Sequence, residues 1–271
     1  MKSFIVAALA TLSYSAFSQS YFVLDNGITI STTTAGEVYD NAHATPVSRI
    51  TAKGGQFIIE DGNVLVTVDE RGSFFRKYEL LPKQVIGKGL NYFIGDNGIL
   101  YTIDAQGIVI LTENNEKIKT INKFGGNFFA NDEEIFVVTP NGSFLSVVVE
   151  GLRPADIISF GGNYFMTNRG VLYTVSSEGV IVSKKQTRVG ILVKKGGNYF
   201  VDTQGMIYTV AADGNLIVPN IPVSLRVQAM SKLGANYFLD GSGKLFTVDN
   251  AGKVYERWLT YDLKTTKIVS M

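Results

Sequence analysis

The chain has no cysteine, one tryptophan and one histidine among its 271 residues. Without cysteine there is no disulfide framework and no thiolate metal site, so packing and hydrogen bonds have to hold the fold together. The single histidine, His43, has few partners for a metal site or for base-assisted catalysis. We therefore expect His43 to be an ordinary residue of a polar connection.

Charge of one sign is also not in excess, because 25 Lys and Arg residues face 24 Asp and Glu residues. Lys2 is the only charged residue of the first eighteen, so residues 19–271 carry 24 charges of each sign. Binding to a phosphate backbone depends on excess positive charge, and we expect no nucleic-acid partner. No apolar run reaches the roughly 20 residues of a membrane span, so no transmembrane segment is expected.

The first eighteen residues have the composition of a secretory signal peptide. A basic start at Lys2 precedes a short apolar run, Phe4 to Leu12, and then small residues up to Ser18. We predict a signal peptide over 1–18, cleavage before Gln19 and a single domain over 19–271. The expected location is extracytoplasmic, either periplasmic or secreted.

One short motif recurs along the rest of the chain. Gly-Gly-Asn-Tyr-Phe stands at 161–165 and at 196–200, with close variants elsewhere, and 54–57 is interpreted as a shortened copy. Its last aromatic residue recurs every 35 to 38 residues, at Phe22, Phe57, Phe93, Phe129, Phe165, Phe200 and Phe238. A period of this length indicates a repeat fold with seven units.

Each copy continues with the same order of turns and β-prone runs. An Asp or Asn turn comes first, then a run such as Leu100–Ile103, then a second turn that ends on Gly 13 to 15 residues past the anchor, then another short apolar run. Short β-branched and aromatic runs between Gly, Asn and Asp turns are typical of hairpins. Four strands in about 36 residues predict one propeller blade, so the fold class is all-β, a seven-bladed β-propeller.

The two ends of the sequence fit one blade between them. Residues 267–271 look like the strand that precedes the motif in other copies, and residues 19–22 look like what should follow it. We expect the carboxyl-terminal strand to pair with the amino-terminal one and to close the ring.

The blade motif, as in Gly243 to Tyr255, resembles that of quinoprotein-like propellers and is similar to blades of other short-repeat propellers. The resemblance covers all seven units and implies the fold, but propellers host many unrelated activities. Quinoproteins resemble one another in a recurrent blade tryptophan, whereas Trp258 stands alone here. No quinone or other cofactor is therefore inferred, and no specific family is assigned.

Two recurrent polar positions are candidate ligand sites. An amide follows the Gly pair in five copies, at Asn91, Asn127, Asn163, Asn198 and Asn236. These amides suit either a structural role in the turn or repeated sugar pockets between blades. Three or four residues earlier lie Lys53, Lys88, Lys123, Lys195 and Lys232, which could attract an anion if they ring a central channel, or could simply solubilise strand ends.

Aspartates recur at the turn that follows the anchor in six of the seven copies: Asp25, Asp61, Asp96, Asp132, Asp202 and Asp240. Calcium favours clustered carboxylates, but no Asp-x-Asp-x-Asp-Gly spacing occurs, and Asp is an ordinary turn former. We expect turn chemistry here and no metal.

The function favoured by these features is that of an exported, non-enzymatic scaffold. A rigid disc would bind a protein partner or an envelope component through exposed loops, with 84–88, 114–119 and 187–190 as candidates. Two alternatives stay open: a lectin with inter-blade sugar pockets, and a lyase or hydrolase with its site over the central channel. The chain is expected to be a monomer.

Overall fold

The structure, a computed structural model, describes residues 20–44, 47–62, 64–78, 82–112, 118, 120–185, 188–261, 263 and 268–269. Its regular structure in these ranges is almost entirely β-strand, in seven antiparallel sheets. Each sheet is one blade, and the chain is the seven-bladed β-propeller that the repeat predicted. The predicted signal peptide lies outside the described residues.

The strands follow one another blade by blade along the chain. Blade 1 contains β1 (Ser20–Leu24), β2 (Ile28–Thr32) and β3 (Val38–Ala44); blade 2, β4 (Ile50–Lys53), β5 (Phe57–Glu60), β6 (Val64–Val68) and β7 (Phe74–Tyr78); blade 3, β8 (Val85–Lys88), β9 (Tyr92–Gly95), β10 (Leu100–Ile103) and β11 (Val109–Thr112); blade 4, β12 (Lys123–Phe124), β13 (Phe128–Ala130), β14 (Ile135–Val138) and β15 (Phe144–Val147). Blade 5 contains β16 (Ile157–Phe160), β17 (Tyr164–Thr167), β18 (Leu172–Val175) and β19 (Ile181–Ser183); blade 6, β20 (Leu192–Lys195), β21 (Tyr199–Asp202), β22 (Ile207–Val210) and β23 (Leu216–Ile217); blade 7, β24 (Tyr237–Leu239), β25 (Leu245–Val248) and β26 (Val254–Arg257); β27 (Ile268–Val269) returns to blade 1. Short 3-10 turns cover Val47–Arg49, Pro154–Asp156 and Val227–Ala229.

Ring closure occurs as predicted, between the two ends of the chain. Strand β27 pairs antiparallel with β1, with Val269 opposite Val23 and Ile268 opposite Leu24. Blade 1 thereby gains its fourth strand, in the order β27-β1-β2-β3. Non-covalent pairing thus closes a ring that has no cysteine to close it.

The core lies between the blades, on both faces of the two middle strands. Aromatic rings of the repeated motif pack from blade to blade: the first aromatic of one blade contacts the second aromatic of the next. Centroid distances are 5.0 Å for Tyr92 and Phe129 and 4.8 Å for Tyr164 and Phe200. Both rings of the motif are buried, because each blade is covered on two sides.

The turn between the third and fourth strands, called the third turn, is the same in every blade. It is five residues long with Gly in the fourth position, and the Gly N–H bonds the carbonyl of the turn's first residue, as Gly142 does with Thr139 at 2.9 Å. Gly142 has a φ of +78°. A Cβ there would also lie 2.5 Å from Cδ1 of Ile110 in the preceding blade. The positive φ favours glycine, and an added Cβ would also have to displace the end of the Ile110 side chain.

Blade 7 departs from the repeat at its first strand. Its sheet has three strands in the part of the chain that is described, and a single bridge from Ser231 to Leu239 stands where the first strand would be. Lys232 next to it has a φ of +47°, which a strand does not accommodate. The spacing of 38 residues between Phe200 and Phe238, the longest of the six, is the sequence trace of this interruption.

The copy in blade 2 is complete, so its interpretation as a shortened motif was wrong. Phe57 pairs with Thr67, just as Tyr92 pairs with Thr102 in blade 3. Phe57 therefore occupies the first aromatic position, and Ile58 occupies the second. An aliphatic residue replaced the anchor aromatic, and the sequence alone gave no sign of the one-residue difference.

Candidate functional site

The turn between the first and second strands, called the first turn, brings six blades together around one depression. Its three residues, Gly125-Gly126-Asn127 in blade 4, approach the next blade so closely that the Gly126 N–H bonds the Gly162 carbonyl at 2.8 Å. A Cβ on Gly126 would lie 2.4 Å from Cα of Gly162. The Gly pair thus serves close backbone approach, and neither glycine needs a positive φ. The resulting first-turn depression measures about 270 Å³.

The five candidate asparagines are buried between blades. Their side chains are at most 1% exposed, and several reach a carbonyl of the next blade: Asn236 Nδ2 lies 2.9 Å from the Thr33 carbonyl, and Asn163 Nδ2 lies 3.4 Å from that of Val210. Asn127 and Asn198 make similar long contacts, at 3.5 and 3.4 Å, while both amide atoms of Asn91 lack a hydrogen-bond partner within the described part of the chain. This burial favours the structural interpretation of the amides over sugar pockets, since a sugar could reach them only by separating the blades.

The five candidate lysines divide into two groups. Lys53, Lys88 and Lys195 directly precede the first Gly of the turn and line the first-turn depression. Lys123 and Lys232 stand one residue earlier and do not line it; Lys123 instead forms an ion pair with Asp132 at 2.7 Å. Successive side chains of a strand point to opposite sides, so a shift of one residue redirects the ammonium group. The equivalent positions in the other blades hold Phe124, Phe160 and Leu233.

Two of the lysines of the depression, Lys53 and Lys88, influence each other. Lys88 Nζ donates to the Lys53 carbonyl at 2.8 Å, and Lys195 Nζ lies 3.4 Å from Ser159 Oγ. Burial, together with the charge of Lys88, lowers the pKa of Lys53 to about 8, and burial lowers the pKa of Lys88. A cluster of partly desolvated cations therefore faces the apolar side chains across the depression.

A second and larger depression is formed by the third turns of blades 2 to 5. It measures about 1210 Å³ and contains Asp69, Glu70 and Arg71 of one turn and Glu178 of another. Phe75 and Leu145, from fourth strands, contribute apolar surface and are 43% and 48% exposed. We call this site the third-turn depression; it shares no lining residue with the first-turn depression.

The two sets of turns differ in charge. The seven third turns carry seven carboxylates and two cations, in the sequence ranges 33–37, 69–73, 104–108, 139–143, 176–180, 211–215 and 249–253. Five lysines stand beside the first turns, and the sequences of these turns contain no Asp or Glu. Opposite charges thus mark the two depressions, which could attract different ligands.

Sequence reasoning missed the third-turn depression, although a signal for it exists. The third residue after each turn Gly is apolar in every copy: Tyr39, Phe75, Ile110, Leu145, Val182, Ile217 and Tyr255. Each of these residues lies in the short apolar run after the turn Gly, which the sequence predicts as a strand without indicating its exposure. The structure shows that some of them stay partly exposed beside the next blade's turn.

The other sequence candidates have structural surroundings. Asp202 Oδ1 accepts the N–H groups of Gln204 and Met206, so it holds its own turn, as expected. Among the described residues, no three His, Asp or Glu side chains are grouped to hold a metal. His43, expected in a connection, lies in strand β3. Most of loop 114–119 and part of loop 187–190 lie outside the described residues.

No protein-family model and no curated protein matches the chain. Its strand arrangement is similar to that of virginiamycin B lyase from Staphylococcus aureus, at 14% identity over 89% of this chain and 94% of the lyase, with a TM-score of 0.38. It is also similar to BamB from Moraxella catarrhalis (13% identity, 91% and 86% covered, TM-score 0.29). PorZ of Porphyromonas gingivalis aligns at 11% identity over 94% of this chain and 38% of PorZ, with a TM-score of 0.34. Similarities this distant carry no inference about the sites of this chain.

Within the described residues, no helix is long and apolar enough to span a bilayer.

Proposed function

We propose that this protein is a non-enzymatic binding platform, and that its third-turn depression receives a positively charged, partly apolar segment of a protein partner. The proposal rests on the depression itself, which measures about 1210 Å³, extends across four blades and contains both carboxylates and exposed apolar side chains. Its volume slightly exceeds the roughly 300–1,000 Å³ of typical small-molecule pockets, which suits a peptide segment.

The charges in the depression favour a cationic segment. Glu70 and Glu178 come from different blades, so together with Asp69 they would place negative charge on more than one side of a bound peptide. Among the described lining residues, Arg71 is the one cation, which leaves these residues with a net charge of −2. Complementary charge raises association rates and selects against acidic partners.

The apolar side chains supply contact area at the same place. Phe75 and Leu145 stay nearly half exposed, although their counterparts in a closed core would be covered. Aromatic and aliphatic side chains that are exposed beside charged groups are typical of protein-binding surfaces. Rigid blades on either side keep these residues in place, so little ordering cost is expected on binding.

The arrangement does not favour the lyase or hydrolase considered from the sequence. Such an enzyme needs a base or nucleophile directed at its substrate. Asp69, a carboxylate at the floor of one turn, instead accepts the N–H groups of Arg71 and Ser73 with the same oxygen, at 2.9 and 2.8 Å. Its role is to hold the turn.

The test is a selection from a random peptide library on the immobilised protein. We expect enrichment of peptides that combine Lys or Arg with apolar residues. Reversing two charges, in Glu70→Lys with Glu178→Lys, should abolish their binding, and Phe75→Ala with Leu145→Ala should weaken it. The matched control is Ile86→Ala with Val193→Ala, which removes aliphatic residues of similar exposure, 51% and 54%, from first strands. Equal loss in the control pair, or enrichment of acidic peptides, would contradict the proposal.

We also propose that the protein is exported, on the strength of the sequence of residues 1–18. Amino-terminal sequencing of the protein recovered from the periplasm or the medium should begin at Gln19. Recovery only from the cytoplasm with Met1 retained would refute export.

A further inference from the structure

The first-turn depression combines cationic and apolar walls in a small volume. Its lining includes Lys53 and Lys88 from the neighbouring blades 2 and 3, and Phe124 and Phe160 from the neighbouring blades 4 and 5. A third lysine, Lys195, comes from blade 6, beyond the two phenylalanines. Leu233 and Leu90 add aliphatic surface. Among the described residues, no carboxylate lines this depression.

We propose that the first-turn depression binds a small organic anion, a carboxylate carried on an apolar chain. The ammonium groups of blades 2 and 3 would receive the carboxylate, and the phenylalanines would cover the apolar part. This site and its ligand class are separate from the protein-binding function proposed above, since the two depressions share no residue.

The ammonium groups are placed to receive such a ligand. Lys88 Nζ spends one donor on the Lys53 carbonyl, at 2.8 Å, which fixes it beside the neighbouring lysine. An ammonium group has three N–H donors, so Lys88 keeps others for a ligand. Burial, together with the nearby charge of Lys88, lowers the pKa of Lys53 to about 8. An anion bound between the two ammonium groups would reduce their mutual repulsion.

The walls set the class of anion. A depression of about 270 Å³ lies just below the usual range for small-molecule pockets, so the ligand is small. Inorganic phosphate would leave Phe124 and Phe160 exposed to water and forgo the gain from covering them. An uncharged alcohol would bring no negative charge to interact with the ammonium groups. Only a ligand with both parts uses both walls.

The chain supplies its own control for this site. Lys232 precedes a first turn as Lys53 and Lys88 do, carries the same charge, and is exposed, but it does not line the depression. A Lys232→Met variant therefore removes one positive charge from the same set of turns without altering the depression. A general electrostatic effect would be lost in this variant as much as in the others.

The experiment is calorimetric titration of the purified protein with octanoate, 1-octanol and inorganic phosphate. We expect saturable binding of one octanoate per chain, and weaker binding of the other two. Lys53→Met with Lys88→Met should weaken octanoate binding by roughly ten-fold or more, whereas Lys232→Met should not change it. If the double variant unfolds, Lys88→Met alone should still show a weakened affinity. Unchanged binding in a folded Lys53→Met, Lys88→Met variant, phosphate binding as tight as octanoate, or no saturable octanoate binding would overturn the proposal.

Discussion

The tyrosines of the repeated motif provide a quantitative test of how the blades are held together. Tyr92 is fully buried, and its hydroxyl lies 2.9 Å from the carbonyl oxygens of both Gly125 and Phe128 in the next blade. Tyr237 occupies the same position in blade 7, and its buried hydroxyl has no hydrogen-bond partner among the described residues. The same substitution, Tyr→Phe, therefore removes hydrogen bonds at Tyr92 and removes a buried hydroxyl without a described partner at Tyr237.

The two substitutions are expected to change the free energy of unfolding differently. A net hydrogen bond contributes about 1 kcal/mol, so Tyr92→Phe should lower the free energy of unfolding by about that amount. A buried hydroxyl without a partner costs roughly 1–3 kcal/mol, so Tyr237→Phe should be neutral or stabilising. The rings stay in place in both variants. Phe57 and Phe128, which already occupy this position in blades 2 and 4, show that a phenyl ring fits.

Urea denaturation followed by far-UV circular dichroism would measure both variants. The midpoint should fall for Tyr92→Phe and stay or rise for Tyr237→Phe, with equal slopes in all three proteins. In thermal melts, about 1 kcal/mol corresponds to a shift of about 2–4 °C for a chain of this size. Equal destabilisation by both substitutions would show that the hydroxyl contacts do not decide the blade-to-blade stability.

Three further predictions concern the same framework. Thr209→Val should cost about 1 kcal/mol in urea denaturation, because its Oγ1 donates to the third-turn Gly252 carbonyl of the next blade at 2.7 Å. Gly162→Ala should lower the free energy of unfolding by more than about 2 kcal/mol, because the new Cβ would lie 2.5 Å from a backbone oxygen of the next blade. Gly170→Ala is the control: Gly170 has open space around it, so the substitution should cost only the roughly 1–2 kcal/mol that a positive φ costs a residue other than glycine. In the folded protein the pKa of Lys53 is about 8, below its ordinary value of 10.5. Between about pH 8 and pH 10.5 Lys53 therefore binds fewer protons in the folded than in the unfolded chain. The stability of the wild type relative to Lys53→Met should rise as the pH increases through that interval.

The architecture was predictable because the repeat carries it several times over. The spacing of the anchors and the turn glycines indicated seven blades. The complementary sequences at 19–22 and 267–271 indicated that strand pairing closes the ring. The structure confirms the seven blades and the pairing of β27 with β1. Where a single residue differed, the pattern failed. At Phe57, the aliphatic Ile58 in the second position hid the true register.

The candidate sites were predictable only in part, for physical reasons. The spacing of the lysines from the following amide, three residues for Lys88 and four for Lys123, already contained the difference between lining and not lining the depression, but its meaning depended on strand direction. The third-turn depression could not be predicted, because the exposure of Phe75 and Leu145 depends on how adjacent blades meet. That geometry is absent from any single repeat.

The most direct test of the binding-platform proposal is hydrogen exchange of the protein with and without a bound basic peptide from the library selection. Slower exchange confined to the third turns of blades 2 to 5, within 69–73, 104–108, 139–143 and 176–180, is the result we expect. Protection that appears instead at the first turns, such as 54–56 and 89–91, or at the second turns between the middle strands, would contradict the proposal.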